Sequence, residues 1–144
     1  MNIFKALRDD HEVQRKLLDK LVETSGDTER RDKVFADLRN ELETHADAEE
    51  RYFYKPLIDS DKTQTKARHS IAEHHEIDEL IEELEKTEYS SSAWLKITKN
   101  LQEKVEHHLE EEEHEVFQVA GKVLTETQKE NLAREYERHM QENR

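Results

Sequence analysis

Apolar residues recur at alternating steps of three and four along most of the chain, the spacing that lines one face of an α-helix. From about Asn2 to Thr24 the inward positions are Leu7, His11, Gln14, Leu18 and Leu21. Ser25-Gly26-Asp27 breaks this stretch, with Gly26 suited to a helix end and Asp27 or Thr28 to the next cap. A second helix is predicted from about Glu29 to Tyr54, with Val34, Leu38, Leu42, His45, Glu49, Tyr52 and Phe53 facing in. Pro56 is expected to end it, because the residue before a proline avoids helical geometry. A third runs from about Thr63 to Lys86, presenting Ala67, Ser70 or Ile71, His74, Ile77, Ile81 and Leu84. Ser91 or Ser92 caps a fourth, from about Ala93 to Val123, with Trp94, Ile97, Leu101, Val105, His108, Glu112, Val116 and Val119 as its stripe. Thr125-Glu126-Thr127-Gln128 reads as a capping box that opens a shorter helix reaching about Gln141. Four amphipathic helices with short connections predict an all-α, antiparallel up-down-up-down four-helix bundle with a short C-terminal fifth helix. The bundle is expected over residues 1–124. The segment 125–144 packs on it or extends from it, as a cap or as the contact of a homodimer.

The histidines within these stripes repeat. From His45 to His108 is 63 residues (108 − 45 = 63), and the same offset relates Glu49 to Glu112 and His11 to His74. Apolar positions keep it too: Leu18 with Ile81, Leu21 with Leu84, Leu38 with Leu101, Leu42 with Val105, Tyr54 with Phe117. The chain is therefore two helical hairpins of one design, and each brings a lone histidine and a His-x-x-x-Glu pair. Residues four apart share a helix face, so each pair aims an imidazole and a carboxylate in one direction. Two glutamates and four histidines at one level of a small core, with no inward Lys or Arg, call for cations, since burying a lone carboxylate costs several kcal/mol, order of magnitude. Imidazole and carboxylate suit iron, manganese or zinc.

Composition narrows the function further. The net charge of −13 disfavours nucleic acid and an anionic membrane surface. There is no cysteine, which excludes disulfides and thiolate metal sites. Met1-Asn2-Ile3-Phe4-Lys5 runs straight into an amphipathic helix with no signal peptide, and no apolar run approaches membrane length, so a cytoplasmic protein is expected.

One His, His-x-x-x-Glu, one His, His-x-x-x-Glu, together with Phe53-Tyr54-Lys55-Pro56-Leu57 and Glu73-His74 followed by Ile77 and Leu80, resembles the hemerythrin-like family, also called the HHE cation-binding domain family. The resemblance spans residues 2 to 124 and implies a four-helix bundle around a non-haem di-iron centre. By that resemblance His11 and His45 bind one iron, His74 and His108 the other, and Glu49 and Glu112 bridge them, beside a bridging oxo or hydroxo group. The oxygen carriers of this family have a further histidine one turn before the third-helix ligand, where this chain has Ser70; His69 next to it points about 100° away. Their fourth-helix carboxylate falls five residues after its histidine, which is Glu113 here, whereas the internal repeat favours Glu112.

The missing histidine favours a site that reacts with or senses oxygen, peroxide, nitric oxide or iron over one that stores oxygen. A di-iron peroxidase or oxidase is the enzymatic alternative, and a bundle whose buried histidines bind nothing is the structural one. Outside the six residues, His69, His75, His107, His114 and His139 are expected to face solvent or to support the ligands. Asp10, Glu73 and Asp78 are candidates for orienting them, as neighbours of the ligands. Tyr52, Tyr54, Trp94 and Phe117 read as packing residues.

Overall fold

The computed structural model describes residues 1–144 and is all-helical. Its elements are α1 (Ile3–Glu23), α2 (Glu29–Ala48), a π-helical turn (Glu49–Tyr54), α3 (Lys55–Ile58), α4 (Gln64–Lys86), α5 (Ser92–Glu111), a second π-helical turn (Glu112–Val116), α6 (Phe117–Val123) and α7 (Glu126–Asn143). The caps follow local chemistry. Thr28 Oγ1 accepts from Arg31 N at 3.2 Å and Ser91 Oγ from Trp94 N at 3.3 Å, each satisfying an end donor that the helix cannot. Gly26 turns the chain between α1 and α2 at φ +63°, a left-handed conformation that a side chain resists. Thr125 and Gln128 close the capping box of α7.

Contacts along neighbouring helices run in opposite residue order. Asp19, Arg15 and His11 on α1 meet Gln102, Glu106 and Glu113 in turn. Leu84 and Glu73 on α4 meet Trp94 and His108 on α5. α7 lies against α1 and α2. No helix is long and apolar enough to cross a membrane.

Two apolar clusters fill the interior. One gathers Ile3, Leu7, Phe53, Leu57, Phe117 and Tyr136; the other gathers Leu18, Leu38, Phe35, Ile81, Trp94 and Leu101. The inward histidines and glutamates lie between the clusters in sequence order, so the core has a polar layer.

Three expectations fail at one cause. Pro56 does not end the second helical stretch, which continues to Ile58; Tyr52 is only half-buried while Tyr54 is fully buried; and Ala120, not Val119, is buried. A π turn holds an extra residue, so the inward stripe moves on by one. Glu49 is followed inward by Phe53, Tyr54 and Leu57, and Glu112 by Val116, Phe117 and Ala120. The wide turn also places Pro56 in the first turn of α3, where a missing N–H and a fixed φ are tolerated. Both π turns begin at the glutamate of a His-x-x-x-Glu pair, 63 residues apart like the pairs themselves.

Candidate metal centre

His11 (α1), His45 (α2), His74 (α4) and His108 (α5) are buried, as are Glu49 and Glu112 at the heads of the two π turns. The structure brings all six together. His11 Nε2 lies 3.1 Å from Glu112 Oε1, and His45 Nε2 lies 3.4 Å from Glu49 Oε2. His74 Nε2 lies 3.1 Å from Glu49 Oε1, and His108 Nε2 lies 3.6 Å from Glu112 Oε2. Two groups result, His11-His45-Glu49-Glu112 and Glu49-His74-His108-Glu112, each with ligand atoms within 4.8 Å of one another. Both carboxylates belong to both groups. Glu113 is turned away from the centre and takes another role.

These atoms lack partners of their own. His11 Nε2, His45 Nε2, His108 Nε2, both oxygens of Glu49 and Glu112 Oε1 are buried with no hydrogen bond. Each such orphan costs about 1–3 kcal/mol. Two cations would satisfy them all, and the nearest guanidinium groups stop short. Arg15 pairs with Glu113 and Arg144 with Asp10 and Glu41, all at the rim. Imidazole nitrogen and carboxylate oxygen fit iron as donors.

Each of the four imidazoles is held from behind. Nδ1 of His11 lies 2.7 Å from Glu113, that of His74 2.8 Å from Glu50, that of His108 2.9 Å from Glu73 and that of His45 2.5 Å from the Tyr136 hydroxyl. An Nδ1–H donating outward leaves the Nε2 lone pair facing the centre. Glu50 and Glu113 escaped the sequence reading in this role, yet they stand at the 63-residue offset and each follows a central glutamate. Asp10 and Glu73 share that offset as well. Glu73 reaches His108 directly. Asp10 is one methylene shorter, and the Tyr136 hydroxyl spans the gap, donating to Asp10 and accepting from His45. Tyr136 comes from α7 and has no counterpart in the repeat. Tyr136→Phe is therefore expected to weaken binding at the His11-His45 position by about 10- to 100-fold and to spare the other. Competition with a chromophoric chelator measures this, and equal losses at both positions would contradict it.

Tyr54 borders the centre beside Ser70. Its hydroxyl donates to Glu112 Oε2. Burial and the charges of Glu112 and Glu49 push this phenol well above its ordinary range.

Protons take the cations' place when metal is absent. Burial opposes charging His11, but the nearby carboxylates of Glu112 and Glu113 outweigh it and raise the imidazole to about 9. Burial likewise opposes the His74 cation, and Glu49 and Glu50 raise it to about 10. Burial and the charge of Glu49 push Glu112 up. Both imidazoles are raised in the fold, so their contribution to metal-free stability is complete below the ordinary value of 6.5 and vanishes as pH rises through about 9 and about 10. Metal must displace these protons, so its affinity should climb with pH up to the same range. Calorimetry at pH 7 in buffers of different ionisation enthalpy should count about two protons released from these imidazoles per chain; none released would refute the assignment.

A small pocket opens beside the centre, lined by Gln14, Leu42, His45, Ala46, His74, Ile77, Asp78 and His108, with a volume of about 10 Å³. That is room for roughly one water. Asp78 borders this pocket and makes no hydrogen bond to an imidazole. Gln14 is buried beside it with an unpartnered Nε2.

The hemerythrin HHE cation binding domain model matches residues 2–120 of the chain. Among solved structures, a hemerythrin HHE cation binding domain-containing protein from Mycobacterium kansasii, described as an Rv2633c homolog, superposes with a TM-score of 0.89 at 23% identity. The match covers 99% of this chain and 87% of that one, and at this identity it speaks for the fold. No curated protein matches the sequence.

Proposed function

The chain belongs to the hemerythrin HHE cation-binding family, and from that premise we propose that it is a non-haem di-iron protein that binds, reacts with or senses oxygen, peroxide, nitric oxide or iron. His11 and His45 would hold one iron and His74 and His108 the other, with Glu49 and Glu112 shared between the two, and the cofactor would include an oxo or hydroxo group. The long helices form an up-down-up-down bundle around this centre. The observation that carries this reading is the convergence of buried, unpartnered Nε2 and carboxylate oxygen atoms in one layer. The iron pair supplies small-ligand binding and the electrons for reduction.

The chain's own residues set what reaches the pair. The space beside the centre is small, which supports a diatomic or peroxide partner over an organic substrate. Tyr54 and Ser70, in place of a fifth histidine, support reaction or sensing over storage. The diferrous protein should therefore be oxidised by air with no adduct that vacuum releases, and the product should show the near-ultraviolet charge-transfer bands of an oxo-bridged diferric pair. A vacuum-reversible adduct returns the reading to oxygen storage, and spectra without those bands remove iron. Sustained turnover of peroxide with an electron donor would mark the protein as an enzyme.

Gln14 is placed to donate to whatever occupies the pocket. Gln14→Leu should weaken azide binding to the diferric protein about tenfold, the worth of one hydrogen bond of roughly 1.4 kcal/mol, with metal content unchanged. Unchanged azide affinity would show that the amide faces elsewhere.

A further inference from the structure

We propose that His69, Glu73, His107 and Glu111 form a second metal site, at the surface between α4 and α5, for a divalent first-row transition cation. His69 and Glu73 lie four apart on α4, and His107 and Glu111 lie four apart on α5. Each helix therefore offers its neighbour the same ordered pair used in the buried centre, here turned outward. His69 Nε2 is 3.1 Å from Glu111 Oε1 and 3.6 Å from Glu73 Oε2; His107 Nε2 is 3.2 Å from Glu111 Oε2 and 4.0 Å from Glu73 Oε2. Ligand atoms of His69, Glu73 and Glu111 all fall within 4.8 Å of one another, and His107 stands beside this group, in contact with Glu111.

Glu73 makes this more than an exposed group of ion pairs. It is 2% exposed, and its Oε1 accepts from the Nδ1 of buried His108 at 2.9 Å. Its Oε2 is left facing the two exposed imidazoles. A largely buried carboxylate oxygen with imidazoles above it is a preformed ligand, because its direction is fixed by the bond to His108. The lysine on the same flank, Lys104, is engaged by Glu76. Two imidazoles and two carboxylates suit zinc or its neighbours rather than calcium or magnesium, which take oxygen ligands. The imidazoles are 54% and 67% exposed, so the site exchanges with solvent while the inner one is enclosed.

Zinc titration of the metal-free full-length chain tests this, read by calorimetry and by zinc retained after gel filtration. The wild-type chain should bind one equivalent more than His69→Ala/His107→Ala, whose altered side chains are exposed. Glu111→Gln, a gentler change, should weaken that equivalent alone by at least the ~10-fold that a supporting residue costs. Equal stoichiometry and affinity in all three chains would overturn the proposal and leave only polar contacts between imidazoles and carboxylates. The outcome is independent of the buried centre: the surface site is read from the difference between chains, the inner site from the equivalents they share.

Discussion

Chelating the metal from the replete protein is expected to lower its thermal midpoint by about 12 °C at neutral pH. A ligand present at a thousandfold its dissociation constant adds about 4 kcal/mol to the folded state, and a chain of this size shifts by roughly 3 °C per kcal/mol. The loss should be larger above pH 9. With metal gone, the layer is held by protons on His11 and His74, and those leave as pH passes about 9 and about 10. What remains is a set of buried carboxylate and imidazole atoms with no partner between two apolar clusters. Calorimetric scans with and without chelator, at pH 7 and pH 10, measure both effects. A midpoint that chelation leaves within 2 °C or so would mean that protons alone satisfy the interior.

Replacing Glu49 should empty both metal positions, where replacing a histidine empties one. Glu49 Oε1 faces His74 and Oε2 faces His45, so a single side chain serves both groups. In Glu49→Ala the iron content should fall from about two per chain to near zero. Glu49→Gln, which keeps the volume and half the acceptor capacity, should hold less than one. His11→Ala should keep about one, at the His74-His108 position. Elemental analysis of the three purified variants decides. About one iron retained in Glu49→Ala would show that the carboxylates each serve a single ion and do not bridge.

Much of this arrangement was legible before the fold was seen. The 3–4 spacing marked four long helices and a fifth, and Asp27 or Thr28, Ser91 or Ser92 and the Thr125-Gln128 box marked their starts, the structure choosing Thr28 and Ser91. The 63-residue offset singled out six inward polar residues whose burial needs a cation. Those features are local, because a helix face and a cap depend only on residues within a turn or two of each other.

The rest depends on three dimensions. The two π turns shift each stripe by one residue after Glu49 and Glu112, which explains why Tyr54 rather than Tyr52 is fully buried and how Pro56 stays within the helix. An inserted residue of this kind is stabilised by what it lets the carboxylate reach, and periodicity carries no mark of it. The partners of the four Nδ1 atoms lie 24 to 102 residues from their histidines. Tyr136 in particular could be found by no offset, since α7 stands outside the repeat. What the amino-acid order determined alone is which faces turn inward and that they carry more acid and imidazole than an apolar core can hold unaided. Which nitrogen points at the centre, which groups hold each imidazole from behind, and how much space lies beside it were decided only by packing, because each turns on atoms brought together from separate helices.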